Sequence, residues 1–128
     1  MTTLMATIVS LKDYPEYVDI VSKWCFAEWP EENADCGIDS QAKYAQDLVE
    51  NYIHTDAAWP TVLLAVLPSG ECCGTVALDP QDMSSKRPNV SPWLASLFVP
   101  PQFRRRGIAL QLVRGVQNVV RTLSLIHI

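Results

Sequence analysis

The segment PPQFRRRGIALQLV, residues 100–113, places three consecutive arginines and a glycine directly before an apolar run with helical spacing. The first backbone N–H groups of a helix have no partner within it, and the helix dipole adds about half a positive charge at that end. Gly107 has no Cβ to keep a ligand away from the backbone. Phosphates bind readily at such helix starts, so we predict that this junction binds a polyphosphate.

The distribution of charge along the chain favours an anionic partner for this region. All 14 acidic residues lie in residues 1–82 beside only three lysines, whereas residues 83–128 contain seven Lys and Arg and no acid. The two parts therefore carry formal charges of −11 and +7. The alternative interpretation of this asymmetry is that the basic surface pairs with the acidic helices of the same chain. Nucleic acid is a poorer candidate, because the net charge is −4 and no exposed aromatic residues are expected among the arginines.

The glycine content excludes two common phosphate-binding motifs. The glycines are Gly37, Gly70, Gly74, Gly107 and Gly115, and their spacing forms neither GxxxxGK[ST] nor GxGxxG. The hydrolase pattern GxSxG and the metalloprotease pattern HExxH are also missing from the sequence. The junction therefore belongs to another class of phosphate site.

The composition indicates one globular domain without a metal centre. The chain has 128 residues, of which 48% are apolar and 19% charged, and no apolar run approaches the roughly 20 residues that span a bilayer. No basic residue precedes the apolar N-terminal stretch, so we expect no signal peptide and a cytoplasmic location. The four cysteines form no CxxC pair and are expected to be reduced thiols, with Cys72 and Cys73 on opposite faces of a strand. His54 and His127 have no neighbours at metal-ligand spacing, so no zinc site is expected.

The N-terminal part of the chain is predicted to form one strand and two helices. Residues 4–11 are apolar enough for the strand. Asp13 is a candidate cap for a helix that has Pro15 in its first turn and ends at Trp29-Pro30, and Asp39-Ser40 begins the second helix. The two buried stripes are Tyr17, Ile20, Val21 and Trp24, and Ala45, Leu48, Val49 and Tyr52.

A β-hairpin is predicted next. Residues 61–67 and 71–78 are apolar and flank Pro68-Ser69-Gly70, a turn signal. Gly74 inside the second run indicates a bulge or a close approach of another backbone.

The C-terminal part is predicted to contain a strand and a long helix. Residues 93–99 are apolar on both faces, which is typical of a central strand buried on both sides. Apolar residues then recur at helical spacing from about Arg106 to Arg121, and residues 123–128 (LSLIHI) are a candidate last strand.

The hexapeptide Arg104-Arg105-Arg106-Gly107-Ile108-Ala109 fits [Q/R]xxGx[G/A] directly after an apolar strand and Pro-Pro. It resembles the pyrophosphate-binding motif of the GNAT superfamily of acyl-CoA-dependent N-acyltransferases. Residues 91–113 are similar, without a gap, to that family's fourth strand, loop and third helix, and residues 82–95 are similar to a group of small bacterial members. The resemblance covers essentially the whole chain. It implies an α/β (α+β) fold with a mixed, largely antiparallel sheet flanked by helices, in the order β-α-α-β-β-β-α-(β).

The resemblance implies acetyl-CoA as the acyl donor, and no metal. Leu97, Phe98 and Val99 would present strand backbone groups to the pantetheine arm, which binds like an extra strand against a splayed sheet. Main-chain N–H groups from Arg104 to Leu110 would surround the pyrophosphate. The implied cofactor contacts are Leu97, Phe98, Val99, Arg104, Arg105, Arg106, Gly107, Ile108, Ala109 and Leu110.

The resemblance also implies direct attack of an amine on the thioester, with no covalent enzyme intermediate. Holding the reactants together supplies much of the acceleration, and a backbone N–H near Leu97 would polarise the carbonyl. Many members carry a basic carboxylate on the fourth strand, where this sequence has Trp93. Asp82 is therefore a candidate base, with Asp79, Glu28 or a water chain as alternatives, although each acid also fits the role of an ordinary surface residue.

Family members usually continue through a fifth strand, a fourth helix and a closing hairpin, a region that often supplies a tyrosine to protonate the leaving thiolate. This sequence ends at Ile128, and its four tyrosines precede residue 53. We therefore expect residues 1–128 to form a single acyltransferase-type domain that is incomplete at its C-terminus. A catalytically incomplete relative that binds coenzyme A or a protein is the alternative function. The expected acceptor is a small-molecule or peptide amine selected by loops 28–38 and 81–91, with no nucleic-acid or membrane partner and with a homodimer left open.

Overall fold

Four strands and four helices make up the described part of the computed structural model, which covers residues 3–54, 61–79 and 93–126. In chain order they are β1 (Thr7–Ser10), α1 (Val18–Glu28), α2 (Pro30–Asp35), α3 (Gln41–Leu48), β2 (Thr61–Val66), β3 (Cys72–Asp79), β4 (Trp93–Phe98) and α4 (Ile108–Ile126). Short 3₁₀ turns, Pro15–Tyr17 and Pro101–Phe103, precede α1 and α4, and a π-helical turn, Val49–Ile53, extends α3. None of the described helices is long and apolar enough to cross a membrane.

The sheet lies between two helical layers, because successive side chains of a strand point to opposite faces. On β2, Leu64 packs in the core under α1 and α3, whereas Leu63 packs in the core under α4. Cys72 and Cys73 of β3 divide between the same two cores, as predicted. The expected fold class, an antiparallel sheet flanked by helices, is confirmed.

All pairings in the described sheet are antiparallel, in the order β1-β2-β3-β4. The predicted hairpin joins β2 to β3, and Gly70 in its turn has a φ of +92°. Both features predicted at Gly74 are present. The register shifts beside it, because Ala65 pairs with Gly74 and Val66 with Cys72. A Cβ on Gly74 would lie 3.3 Å from the backbone oxygen of Phe98 and 3.0 Å from both Ile108 Cγ2 and Leu112 Cδ1. Gly74 therefore lets α4 pack directly on β3.

The start of α3 and the end of α1 agree with the sequence, whereas the first cap does not. The Ser40 hydroxyl accepts a 3.1 Å hydrogen bond from the Lys43 N–H and begins α3, as predicted. The prediction of Asp13 as a cap is wrong, because Tyr14 precedes the 3₁₀ turn and provides no side-chain cap. Helix α1 ends before Trp29-Pro30 as expected, and Pro30 then starts the unpredicted short helix α2, because a proline fits the first turn of a helix.

Two predictions about the C-terminal part are wrong. β4 lies at the edge of the described sheet and is not central. The predicted burial on both sides is also not met along the strand, since Leu94 is 42% exposed. An apolar pattern reflects what can cover the faces of a strand and carries no information about its neighbours at either edge. Residues 123–126, predicted to begin a strand, instead continue α4, which starts at Ile108 rather than at Arg106. No Gly or Pro interrupts the chain between Val116 and Ile126, so nothing in the sequence stops the helix there.

Candidate active site

The end of β4 and the start of α4 enclose a cavity of about 190 Å³. Its lining residues are Val99, Phe103, Arg104, Arg105, Gly107, Ile108, Ala109 and Leu110. The structure thus brings together around one concave surface most of the residues expected at the phosphate junction. Leu97 and Phe98 precede this cavity on β4, and the carbonyl oxygen of Arg106 faces the N-terminal segment, where it accepts a hydrogen bond from Leu4.

The backbone of the loop before α4 turns sharply. Arg105 and Gly107 have φ values of +64° and +81°, in the left-handed region that glycine enters freely and other residues rarely enter. The Gly107 carbonyl accepts the N–H of Gln111 at 3.1 Å and so makes the first hydrogen bond of α4. The N–H groups of Ile108, Ala109 and Leu110 belong to the first turn, where a helix offers no internal acceptors. These three residues line the cavity, and a helix start with unpaired N–H groups favours an anionic ligand.

Arg104 connects the loop to the end of β4. Its Nε donates a 2.7 Å hydrogen bond to the carbonyl oxygen of Val99, and its guanidinium carbon lies 5.8 Å from the centre of the Phe98 ring. Trp24 and Trp29 contact the same ring, with centroid separations of 5.6 and 6.4 Å. The guanidinium is therefore held by a carbonyl and an aromatic face while the rest of the exposed side chain borders the cavity.

A bulge interrupts β4 at Ser96 and Leu97. Thr75 pairs with Phe98 and Ala77 pairs with Ala95, so two residues of β4 lie opposite Val76 alone. Ser96 has a φ of +53°, which is uncommon for a residue with a Cβ. A bulge leaves the extra residue without a ladder partner and changes the direction of the local backbone groups. The N–H predicted to polarise a carbonyl thus falls on the irregular part of the strand.

A second cavity, of about 940 Å³, lies between the N-terminal helices and strands β3 and β4. Its lining includes Cys25 of α1, Tyr44 of α3, Tyr52 of the π-helical turn, Asp79 of β3 and Ser96 of the bulge. The bulge therefore borders this larger cavity, while the strand beyond it leads to the cavity at the arginine–glycine loop.

Among the acids that line the larger cavity, Asp79 is the one bonded to a phenol, and a second phenol, Tyr44, also lines the cavity. The Tyr52 hydroxyl donates a 2.6 Å hydrogen bond to Asp79 Oδ1. Burial raises the pKa of Asp79 above its ordinary value, and the Tyr52 hydrogen bond partly opposes that rise. Burial also raises the pKa of Tyr52 and of Tyr44, whose hydroxyl lies beside Cys25 and Ser96. The cavity therefore brings an aspartate with a raised pKa close to two phenols that stay protonated at neutral pH.

Of the two candidate bases within the described residues, Asp79 and Glu28, only Asp79 lines this cavity, beside the acids Glu32, Asp35 and Asp47, to which the sequence analysis gave no role. Asp79, an alternative in the sequence analysis, lines it, whereas Glu28 is exposed at the end of α1. Asp82, the preferred candidate, and loop 81–91 lie outside the described residues. Sequence reasoning gave no role to Tyr44 or Tyr52. A signal existed for Tyr52, since a tyrosine on a buried helical stripe must direct its hydroxyl to a partner.

The cysteines show no sign of pairing or activation. All four lie within the described residues as free thiols, with Cys36 exposed and the other three buried. Burial raises the pKa of Cys25 and of Cys72 to about 11, and it raises the pKa of Cys73 as well. Such thiols stay protonated and are poor nucleophiles at neutral pH.

Comparisons with known proteins agree with this architecture. A solved structure, an acetyltransferase of the GNAT family from Staphylococcus aureus Mu50, matches with a TM-score of 0.59 and 14% sequence identity. The match covers 91% of this chain and 67% of that one, and at this identity it concerns the fold. No curated protein matches the sequence. The model of the acetyltransferase (GNAT) family matches residues 15–128, most of the chain. This protein therefore belongs to the GNAT family of acetyltransferases.

Proposed function

We propose that this protein transfers an acetyl group from acetyl-CoA to an amine by direct attack on the thioester. The observation that carries the proposal is the arrangement along β4, where the arginine–glycine cavity lies beyond one end of the strand and the larger cavity borders its bulge. A donor with an anionic tail and a reactive head would have a fitting environment for each part. The strand would guide the section between them.

The residues around β4 fit the chemistry of acetyl-CoA. The smaller cavity combines a helix start with the positively charged residue Arg105 and with Arg104, whose guanidinium is held beside it by Val99 and Phe98, and this suits a pyrophosphate. β4 is an edge strand of the described sheet, and a strand edge presents N–H and C=O groups to an extended ligand. The amide-containing pantetheine arm is such a ligand. Leu97, Phe98 and Val99 would hold it.

The larger cavity would receive the acceptor amine. Asp79 would take a proton as the amine nitrogen bonds to the thioester carbon, and a backbone N–H at the bulge near Leu97 would stabilise the oxyanion. The carbon–sulfur bond then breaks, and coenzyme A leaves as a thiolate. Tyr44, beside Ser96 of the bulge, would donate the proton that the sulfur requires. The acetamide product and free coenzyme A would result.

The acceptor would be a small-molecule or peptide amine, and we place the reaction in the cytoplasm. Burial of three thiols and the absence of pairing among the four cysteines, all in the described part of the chain, suit a reducing compartment.

The first test is thermal unfolding with and without acetyl-CoA. Ligand at 100 times its dissociation constant should stabilise the protein by about 2.7 kcal/mol and raise the Tm by on the order of 10 °C. Gly107→Ala should abolish most of this shift, because a φ of +81° strains an alanine and a Cβ would lie 3.2 Å from Thr3 Cγ2. Release of coenzyme A in the presence of a panel of amines then tests transfer.

Gly70→Ala is the matched control for this experiment. Gly70 has a similar φ of +92°, but a Cβ there meets nothing within 4 Å, and the residue lies in the β2–β3 turn. It should cost similar stability and leave the acetyl-CoA shift intact. An equal shift in the wild-type protein and in Gly107→Ala would contradict the proposed donor site. A shift without coenzyme A release for any amine would instead favour a relative that binds coenzyme A without catalysis.

A further inference from the structure

The segment Thr3–Ala6 runs beside the loop that precedes α4 and is bonded to it. The Leu4 N–H donates to the Arg106 carbonyl oxygen at 3.0 Å. The side chain of Gln111 makes the other links: its Oε1 accepts from the Ala6 N–H at 3.0 Å, and its Nε2 donates to the Leu4 and Gly107 carbonyl oxygens at 2.7 and 3.1 Å. One half-buried carboxamide thus joins chain segments more than a hundred residues apart.

The Gln111 carboxamide recognises the N-terminal segment as a neighbouring strand would. In an extended chain, the carbonyl of one residue and the N–H two residues later point to the same side. Leu4 and Ala6 present this pair, and Gln111 satisfies both groups while its second N–H bonds Gly107. All three strong hydrogen-bonding functions of the amide are therefore used in one fixed orientation.

These bonds fix the two peptide planes that flank Gly107. In a trans peptide the C=O and the N–H of one unit point in opposite directions. Because Leu4 holds the Arg106 carbonyl, the Gly107 N–H must point away from the N-terminal segment. Because Gln111 holds the Gly107 carbonyl through both its backbone and its side chain, the Ile108 N–H must point outward from the start of α4. Gly107 and Ile108 both line the smaller cavity.

We infer that Gln111, with the segment Thr3–Ala6, is a positioning residue that aims the Gly107 and Ile108 N–H groups at the donor's pyrophosphate. The inference rests on the proposed function, because it assigns the pyrophosphate to the smaller cavity. Gln111 acts through the loop and makes no contact with the thioester. Its effect is therefore specific to donors that carry phosphate, and it leaves the pantetheine part of binding unchanged.

Binding of two donors to Gln111→Leu separates positioning from general support of the fold. Acetyl-CoA and S-acetylpantetheine share the pantetheine thioester, but only acetyl-CoA carries phosphates. Hydrogen bonds to charged groups are individually strong, so Gln111→Leu should weaken acetyl-CoA binding by about tenfold or more in calorimetric titration. Its affinity for S-acetylpantetheine should equal that of the wild-type protein. Gln117→Leu, an exposed glutamine on the same helix, is the matched control and should change neither affinity.

Leu4→Pro provides a second variant that leaves Gln111 in place. Proline lacks the N–H that holds the Arg106 carbonyl, so the same phosphate-specific loss is expected. Met5→Pro is the control. The backbone groups of Met5 point to the other side of the extended segment, so this variant should bind both donors as the wild-type protein does. Titrations are made below the unfolding temperature of each variant, which a ligand-free melt defines. Equal losses for both donors, or no loss for acetyl-CoA, would overturn the inference. Failure of the wild-type protein to bind acetyl-CoA would overturn the proposed function itself.

Discussion

The Tyr52 hydroxyl donates a 2.6 Å hydrogen bond to Asp79 and so joins the π-helical turn after α3 to the last residue of β3. The bond connects the helical layer to the sheet across the larger cavity. Burial is the main cause that raises the pKa of each partner, so the tyrosine stays a donor while the carboxyl group becomes a stronger base than an exposed aspartate. Asp79 is consequently the acid on which the proposed mechanism depends most.

Asp79→Asn should separate activity from stability. The amide keeps an oxygen that can accept from Tyr52 but cannot take a proton, so we expect transfer to fall by about 10²- to 10⁴-fold. Because burial disfavours the ionised form, the variant should be at least as stable as the wild-type protein at neutral pH. Steady-state rates and chemical denaturation check the two parts. An unchanged rate would remove Asp79 from the mechanism and return attention to Asp82.

The pH dependence should follow the same carboxyl group. Transfer should rise as Asp79 loses its proton, in a window above the ordinary aspartate range, and Asp79→Asn should lack this acidic limb. The Tyr52 hydrogen bond lowers the pKa of Asp79, so Tyr52→Phe should move the limb to higher pH. The free energy of unfolding should depend on pH in the opposite direction from the transfer rate. A raised pKa in the folded state means that stability present at low pH is lost as pH rises through the Asp79 titration, and Asp79→Asn should not show this part of the loss.

Tyr44→Phe should slow departure of the thiolate without weakening donor binding. Burial keeps the Tyr44 hydroxyl protonated, and this hydroxyl lies beside Ser96 at the bulge. We expect kcat to fall by about tenfold or more while the dissociation constant of acetyl-CoA stays within about twofold. Tyr17→Phe is the control, because it removes a hydroxyl bonded to the Gly70 carbonyl, and neither residue lines the cavity. A change in donor affinity alone would contradict a role in proton transfer.

Gly115→Ala should destabilise the protein, although alanine is the better helix former. In the middle of an exposed helix this exchange gains about 1 kcal/mol. Here the new Cβ would lie 2.8 Å from Ile8 Cγ2 and 3.3 Å from Leu63 Cδ1, and overpacking of this kind costs about 1–3 kcal/mol. The overpacking should outweigh the gain in helix propensity, with a net loss of up to about 2 kcal/mol in the free energy of unfolding.

A double-mutant cycle identifies the cause at Gly115. Ile8→Ala removes the side chain that the new Cβ would meet, so the loss from Gly115→Ala should shrink or reverse in that background. Additive losses in urea denaturation would show that the contact with Ile8 is not responsible.

Arg105→Asn should weaken donor binding while relaxing the loop. Arg105 has a φ of +64°, and asparagine tolerates this conformation better than arginine, so stability should hold or rise by up to about 1 kcal/mol. Loss of one exposed positive charge should weaken acetyl-CoA binding by about two- to fivefold and reduce its salt dependence. Titrations at low and high salt test this. Arg114→Gln removes a positive charge from the exposed face of α4 and should have little effect.

Local sequence patterns are enough to predict most of the elements and the arginine–glycine junction. The local signals are the apolar runs 61–67 and 71–78, the turn at Pro68-Ser69-Gly70 and the cap at Ser40, because each depends on neighbours within a few residues. The arginine–glycine motif is also contiguous, so its cavity could be anticipated. Gly74 indicated a close approach for a similarly local reason, since a glycine inside a strand weakens it and commonly marks a bulge or a tightly packed neighbour.

Contacts between distant residues depend on the tertiary structure. The pairing of Tyr52 with Asp79, and the Gln111 contacts with Leu4 and Ala6, join segments 27 and more than a hundred residues apart, so no local pattern encodes them. The edge position of β4 was misjudged because side-chain pattern reports what covers the faces of a strand, whereas an edge is defined by backbone hydrogen bonds that every sequence can make. The bulge at Ser96 has the same origin, since the backbone pairing of β3 with β4 fixes it rather than any preference of serine for a positive φ.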